Sequence, residues 1–350
     1  VNNGQYTVFK IRIYGATGNI TRFQMKKHPN YSNPTYAPLL WAVFGTNNIT
    51  DYSYTFYTSG QVDCRELQAV KIPSFQSCST TASMFYNCYG LSSITLPTSW
   101  GSITSVSRMF YNCYGLSSIT LPTSWGSITS VSYMFYNCYG LSSITLPTSW
   151  GSITNVSSMF RGCSALSSIT LPTSWGSITD VSYMFYACYG LSSITLPTSW
   201  GSITDVSSMF YYCYSLSSIT LPTSWGSITN ASNMLANCYS LRVINNLQYL
   251  GHQTTAADFT NFLAYAEAIS GTLTVASKLS KIGIYGQSGK SLKATGVRLT
   301  NGANTWTGTS PQIDVSYCSM DATALNTLFG DLETISGKTI NITGNPGAAT

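Results

Sequence analysis

Residues 84–100 read Met84-Phe85-Tyr86-Asn87-Cys88-Tyr89-Gly90-Leu91-Ser92-Ser93-Ile94-Thr95-Leu96-Pro97-Thr98-Ser99-Trp100, and the phrase returns almost letter for letter 25 residues later, for six copies in all. The copies begin at Met84, Met109, Met134, Met159, Met184 and Met209, and a seventh decays from Met234. Upstream, the run from Cys64 to Pro73 matches the frame from Cys88 to Pro97 in outline, one residue short. A fixed period of this length marks a stack of coils, each too small to bury its own apolar face and each completed by its neighbours. The reading is about eight units with atypical ends, as an exposed hydrophobic stack requires.

Within a unit, Leu91-Ser92-Ser93-Ile94-Thr95-Leu96 alternates so that the aliphatic side chains point into the coil while Ser93 and Thr95 point out, the pattern of a short strand. Pro97 ends that strand because it has no N–H to give to a ladder. Trp100, Ile103, Val106, Met109, Phe110 and Cys113 supply the remaining apolar positions, and stacked in register each becomes a column. The tryptophans at 100, 125, 150, 175, 200 and 225 are read as interior filling rather than as a platform for sugars. The seven cysteines from Cys88 to Cys238 are read as buried thiols, since free Cys is among the most buried residue types. A disulfide elsewhere, such as Cys64 with Cys78, is the alternative for part of the set of ten. No His accompanies the column and no C-x-x-C occurs, so no metal is expected.

Charge is scarce: charged residues are 8% of the 350, far under the quarter or so that is usual. The 16 Lys and Arg against 11 Asp and Glu give +5, but the basic residues sit mostly in the flanks. Between Met84 and Cys238 the charges are Arg108, Arg161, Asp180 and Asp205. A nucleic-acid partner needs a concentrated basic stripe to displace counterions, and the array has none. The longest apolar run, near Pro38 to Phe44, falls well short of the length that spans a bilayer, so membrane insertion is not expected. A neutral, tyrosine-rich surface points toward neutral carbohydrate or protein.

The unit Ser127-to-Pro147, "SITSVSYMFYNCYGLSSITLP" in one copy, resembles the leucine-rich repeats of BspA-like bacterial surface proteins, which pair an M-F-x-x-C segment with an L-x-x-L-x-L strand at nearly this period. The likeness covers about residues 64–247; the proline and tryptophan after the strand depart from it. It implies a mainly β solenoid, a right-handed leucine-rich-repeat coil used in adhesion. The ending Asp321 to Gly347 resembles segments of phage and prophage tail-fibre proteins that carry leucine-rich repeats, which implies a place on a virion.

Three regions are expected: a β-rich N-terminal cap or domain over 1–60, the solenoid over 61–250, and a C-terminal α/β leucine-rich-repeat-like cap over 251–350. In the first, Tyr6 to Tyr14 reads as a strand. In the last, Phe259, Phe262, Leu263 and Ala266 follow helical spacing, as do Leu325, Leu328, Phe329 and Leu332. Each leads into an Ile-Ser-Gly phrase and a strand, at Ile269 and Ile335, which reads as a second, longer duplication.

Nothing signals catalysis. The two histidines, His28 and His252, lie in different flanks, the carboxylates are scattered, and Gly286 to Ser291 lacks phosphate-loop spacing. No enzyme and no cofactor is expected. Variation gathers instead in a few outward columns, which name the candidate ligand-binding residues. They are Tyr86, Tyr111, Tyr136, Arg161, Tyr186 and Tyr211 in one column, and Tyr89, Tyr114, Tyr139, Tyr189 and Tyr214 in another with Ser164 between. Arg108, Asp180 and Asp205 join them from adjacent columns. Tyr with Ser, Asn and Gly is the chemistry of adaptable recognition surfaces; the competing reading is that some rings cover the edge of the stack. A second candidate surface is the strand side, where Ser93 and Thr95 recur as hydroxyl ladders suited to ice or a crystalline glycan, or simply to solubility.

The expectation is an extracellular recognition or adhesion protein, a phage tail-fibre component or a bacterial surface adhesin, holding a host or cell-surface glycan or protein. Weak contacts repeated at each coil add through avidity when the ligand is itself periodic. The alternative is a structural spacer or a self-associating fibre in which the array only sets length.

Overall fold

The computed structural model describes residues 41–43, 50–56, 67–72, 74–75, 77–249, 257–266, 321–331 and 340–349, and the strands at 272–283, 291–298 and 313–314. The strand expected at Tyr6 to Tyr14, both histidines, Cys64 and Cys318 lie outside those residues.

The repeats form a solenoid with one short strand per coil. The strands are β1 (Trp41–Val43), β2 (Ala69–Lys71), β3 (Ser93–Thr95), β4 (Ser118–Thr120), β5 (Ser143–Thr145), β6 (Ser193–Thr195), β7 (Ser218–Thr220) and β8 (Val243–Asn245). All pairings are parallel and in register, Ile119 opposite Ile144 and Ile194 opposite Ile219. Each strand has three residues, and in β3 to β7 the serine and threonine face outward while the isoleucine between them turns in. The ladder is interrupted. It divides into β1-β2-β3, β4-β5 and β6-β7-β8, and Ser168-Ile169-Thr170 forms no strand.

The opposite side of each coil is continuous. One column of parallel bridges runs Asp51, Thr80, Ser105, Ser130, Asn155, Asp180, Asp205, Asn230, Asp258. Seven of these rungs, Thr80 to Asn230, are spaced by 25 residues, and the two ends are offset by 29 and 28. From each rung the chain descends as a staircase of tight turns. Val106, Arg108, Phe110 and Asn112 donate their amides to Ser130, Ser132, Met134 and Tyr136 of the next coil, at 3.4, 3.0, 2.9 and 2.8 Å. The amides between them fold back: Met109 to Val106, Tyr111 to Arg108, Cys113 to Phe110, at 3.1, 3.2 and 3.1 Å. Alternation of this kind needs a left-handed residue every fourth position, and Arg108 and Asn112 have φ of 57° and 58°.

That geometry overturns the helix expected over Phe259 to Ala266. Their spacing is helical, but so is that of Val106, Met109, Phe110 and Cys113, because both sets lie on the same staircase. Asn261 and Tyr265 have φ of 54° and 58°, and Asn230 bridges to Asp258. The segment is a further coil: β9 (Ala257–Phe259) followed by turns, its Phe259, Phe262, Leu263 and Ala266 buried in the common core. The other expected helix is present as α1 (Ala322–Asp331), with Leu325 buried and Phe329 exposed. The C-terminal strands are β10 (Thr272–Gly283), β11 (Ser291–Arg298), β12 (Ile313–Asp314) and β13 (Ile340–Asn341), all parallel. β10 also pairs with β9, so this sheet grows directly from the stack.

The core is a set of columns. Phenylalanines 85, 110, 135, 160, 185 and 210 stack at 5.4 to 5.6 Å with planes within 8°. The tryptophans are buried as expected. Trp100, Trp125 and Trp150 stack in parallel, then Trp175 turns 83° from Trp150 and donates Nε1 to the Pro172 carbonyl at 3.1 Å. It lies in the coil whose strand is lost. The cysteines are buried reduced thiols, each donating to the phenylalanine carbonyl of the preceding coil, as Cys138 does to Phe110 at 3.2 Å. Burial pushes up the thiols of Cys113, Cys138, Cys163, Cys188, Cys213 and Cys238, the last to about 12. Cys78 is likewise an unbridged, buried thiol, donating to the Thr80 carbonyl at 3.0 Å.

Candidate recognition surface

The outward side chains of the staircase build the site. Position 86 of each unit follows a left-handed residue and a buried Met-Phe pair, so its side chain emerges at the same height in every coil. Tyr86 stacks on Tyr111 at 4.5 Å and Tyr111 on Tyr136 at 4.3 Å, with planes within 6°. The next residue of the column is Arg161. Its guanidinium carbon lies 5.5 Å from the Tyr136 ring centre and 4.2 Å from that of Tyr186, so the cation replaces a ring in the pile. Tyr186 then stacks on Tyr211 at 5.3 Å.

A second pile runs beside the first. Tyr89, Tyr114 and Tyr139 follow one another at 4.6 and 4.8 Å; Ser164 interrupts; Tyr189, Tyr214 and Tyr239 resume at 4.9 and 5.2 Å. Tyr139, Tyr189 and Tyr214 are exposed, whereas Tyr86, Tyr111, Tyr136, Tyr186 and Tyr211 are half-buried. Rings therefore both seal the edge of the stack and present a wall to solvent. Burial raises the phenols of Tyr111, Tyr114, Tyr139, Tyr186 and Tyr214; at Tyr111 the neighbouring phenols of Tyr136 and Tyr86 add to it, and at Tyr186 the Arg161 charge pulls the other way. These five phenols stay protonated and present O–H donors beside their ring faces.

Arg108 joins this surface, 4.9 Å from the Tyr133 ring. The two carboxylates lie apart, on the bridge column. Asp180 Oδ1 accepts from the Ser182 amide at 2.9 Å and Asp205 Oδ1 from the Ser207 amide at 2.8 Å. Their second oxygens accept from Asn155 and Asn230 Nδ2 at 3.4 and 3.2 Å. These acids close turns and tie adjacent coils. Tyr133 and Tyr183, from the variable outward column of Arg108, also belong to the wall, as do Tyr212 and Tyr239, which sequence reading left aside. Tyr239 carries the same 25-residue signal as Tyr214; Tyr212 occupies an asparagine column and packs edge-on against Tyr211 at 4.2 Å, which no spacing announces.

On the strand side the Ser-Ile-Thr triplets of three coils, Ser168 to Thr170, Ser193 to Thr195 and Ser218 to Thr220, line a shallow hollow of about 240 Å³. Among the described residues no three metal-ligating side chains converge, and no helix is long and apolar enough to cross a membrane.

Among solved structures, the chain is similar to a leucine-rich repeat protein from Bacteroides ovatus, at 16% identity over 96% of this chain and 99% of that one, TM-score 0.35. A leucine rich cell surface protein from Faecalibacterium prausnitzii is similar at 15% identity over 88% and 89%, TM-score 0.37. The leucine-rich repeat protein TpLRR of T. pallidum is similar at 19% identity over 59% and 70%, TM-score 0.26. No curated protein matches at a significant level. The family model for the BspA type leucine rich repeat region matches residues 47–157 and 131–255, six copies in all, the same staircase and strand described above. This chain belongs to the BspA-type leucine-rich-repeat family.

Proposed function

We propose that the protein is a non-enzymatic extracellular recognition protein, a bacterial surface adhesin or a phage tail-fibre component, that holds a repetitive surface ligand such as a polysaccharide along its tyrosine wall. The observation that carries this reading is the ring spacing. Tyrosine faces recur every 4.3 to 5.3 Å along two parallel piles, interrupted at one coil by Arg161 and Ser164. Rigid aromatic rings give contact area at low entropic cost, and a periodic ligand multiplies each weak contact. Family membership supports a role in surface adhesion.

The test is a screen of the purified chain against glycans and envelope fractions, followed by Tyr86, Tyr111, Tyr211 and Tyr214 replaced together by Ala. Loss of binding with an intact fold is expected; binding equal to the parent rejects this face. The near-identity of the coils favours a second reading, a spacer or self-associating fibre. Excising two whole units separates the two, because a spacer keeps its attachment and merely shortens, whereas the recognition reading requires weaker attachment.

A further inference from the structure

One coil departs from the rule of the others, at several outward positions at once. Ser158 stands where Tyr133 and Tyr183 stand in the adjoining coils, Ser164 where Tyr139 and Tyr189 stand, and Gly162 where Asn137 and Ala187 stand. Strands spaced by about 4.8 Å put Tyr139 and Tyr189 about 10 Å apart, against 4.6 to 5.2 Å between successive rings elsewhere in that pile. A serine stands in the place of one ring. Beside it sits Arg161, the lone cation of that coil, with ring centres of Tyr136, Tyr183 and Tyr186 at 5.5, 5.2 and 4.2 Å from its guanidinium carbon. Among the described residues no carboxylate pairs with it, and the acids of the following coils, Asp180 and Asp205, are engaged by Asn155, Asn230 and their own turns.

We propose that this notch is a subsite for a single carboxylate-bearing pyranose, an acidic sugar unit whose carboxylate meets Arg161 and whose ring enters the gap over Ser164. The inference rests on the tyrosine wall being a glycan-recognition face, and adds that its specificity is set at one coil. The chemistry is selective on each count. A guanidinium partly stripped of water by rings binds a carboxylate through two parallel N–H bonds that a neutral sugar cannot return. Ring-wide space between Tyr139 and Tyr189 fits a pyranose, which offers an apolar C–H face to each side. An acidic peptide in extended form needs a groove many residues long or an open sheet edge, and the gap is one coil wide. Tyr139 and Tyr186 remain neutral O–H donors because burial raises both phenols.

Calorimetric titration of the full chain decides the matter, with oligogalacturonate, its methyl-ester form and N-acetylneuraminate as sugar probes, and with inorganic phosphate and a poly-glutamate peptide as competitors. Expected are binding of at least one free-acid sugar, and about tenfold or greater weakening when its carboxylate is esterified or in Arg161→Ala, in line with the strength of charge-assisted bonds. Arg161→Lys should lose part of that, and Ser164→Tyr should abolish binding by filling the gap. Tyr is the resident at the equivalent position of six other units, so Ser164→Tyr preserves the fold, and its thermal midpoint checks this. The subsite is overturned if esterified and free sugars bind alike, if Arg161→Ala and Ser164→Tyr bind as the parent does, or if phosphate or the peptide competes as well as the acid sugar. Neutral-glycan binding that depends on Tyr111 and Tyr211 but not on Arg161 sinks this subsite alone; absence of all glycan and envelope binding sinks the recognition reading with it.

Discussion

The two sides of each coil are built from the same 25-residue unit, yet one is continuous and the other is broken. The bridge column from Asp51 to Asp258 has no gap, while the strand ladder divides into three sheets and omits Ser168 to Thr170. The staircase gives four amides per coil to the next coil and buries Val106, Met109, Phe110 and Cys113 completely. The strand side contributes three residues, two of them hydroxyl-bearing and turned to solvent, before a proline stops it. Cohesion between coils therefore comes from the turn side, and the strand side follows where it can. In a stack whose stability is a sum of neighbour interfaces, that difference decides where a change is felt.

The largest effect expected is from Phe160→Ala, which removes one ring from the unbroken phenylalanine pile and should cost about 3–5 kcal/mol in urea unfolding. Alkaline pH tests the same side through its thiols. Their folded values lie above the ordinary thiol value of 9.0, so the stability they contribute is complete below pH 9 and drains as pH rises toward the folded value, about 12 for Cys238. Between those limits Cys238 alone should lower stability by about 1.4 kcal/mol per pH unit, and Cys238→Ala should make the measured decline shallower. Ile169→Ala, in the coil of Phe160 but on the strand side, should cost only about 2 kcal/mol; a loss equal to that of Phe160→Ala would abolish the distinction between the sides.

Smaller effects sharpen it. Gly162 has φ of +79°, and a Cβ there meets the Asn137 Oδ1, so Gly162→Ala should cost about 1–2 kcal/mol. The same change in an Asn137→Ala background should cost less, which a double-mutant cycle reads directly. Ala187 holds a left-handed φ of 56° in the same column, and Ala187→Gly should raise stability by about 0.5–1 kcal/mol on thermal unfolding.

The interior of this fold was legible in the sequence because burial imposes identity: Trp100, Phe110, Cys113 and Leu116 recur with their period intact, and each is inside. The staircase was not, since its left-handed positions hold Arg108, Tyr133 and Ser158 as readily as asparagine, and no residue type marks them. For that reason a spacing of three and four residues at Phe259 reads as a helix and folds as turns. Of the candidate surface, the columns were visible and the stacking was not. That Arg161 shares a column with tyrosines, and that Ser164 interrupts the neighbouring one, follows from counting; that the guanidinium lies 4.2 Å from the Tyr186 ring centre comes only from the coordinates. Asp180 and Asp205 show the converse, variable and outward in the sequence yet tied into turns.

Because Phe85, Phe110, Phe135 and Phe160 present interchangeable rings and carbonyls to their neighbours, splicing out one unit would join two coils that fit as their former partners did, leaving no seam. Recombination between near-identical repeats can thus lengthen or shorten the array without relearning how to fold.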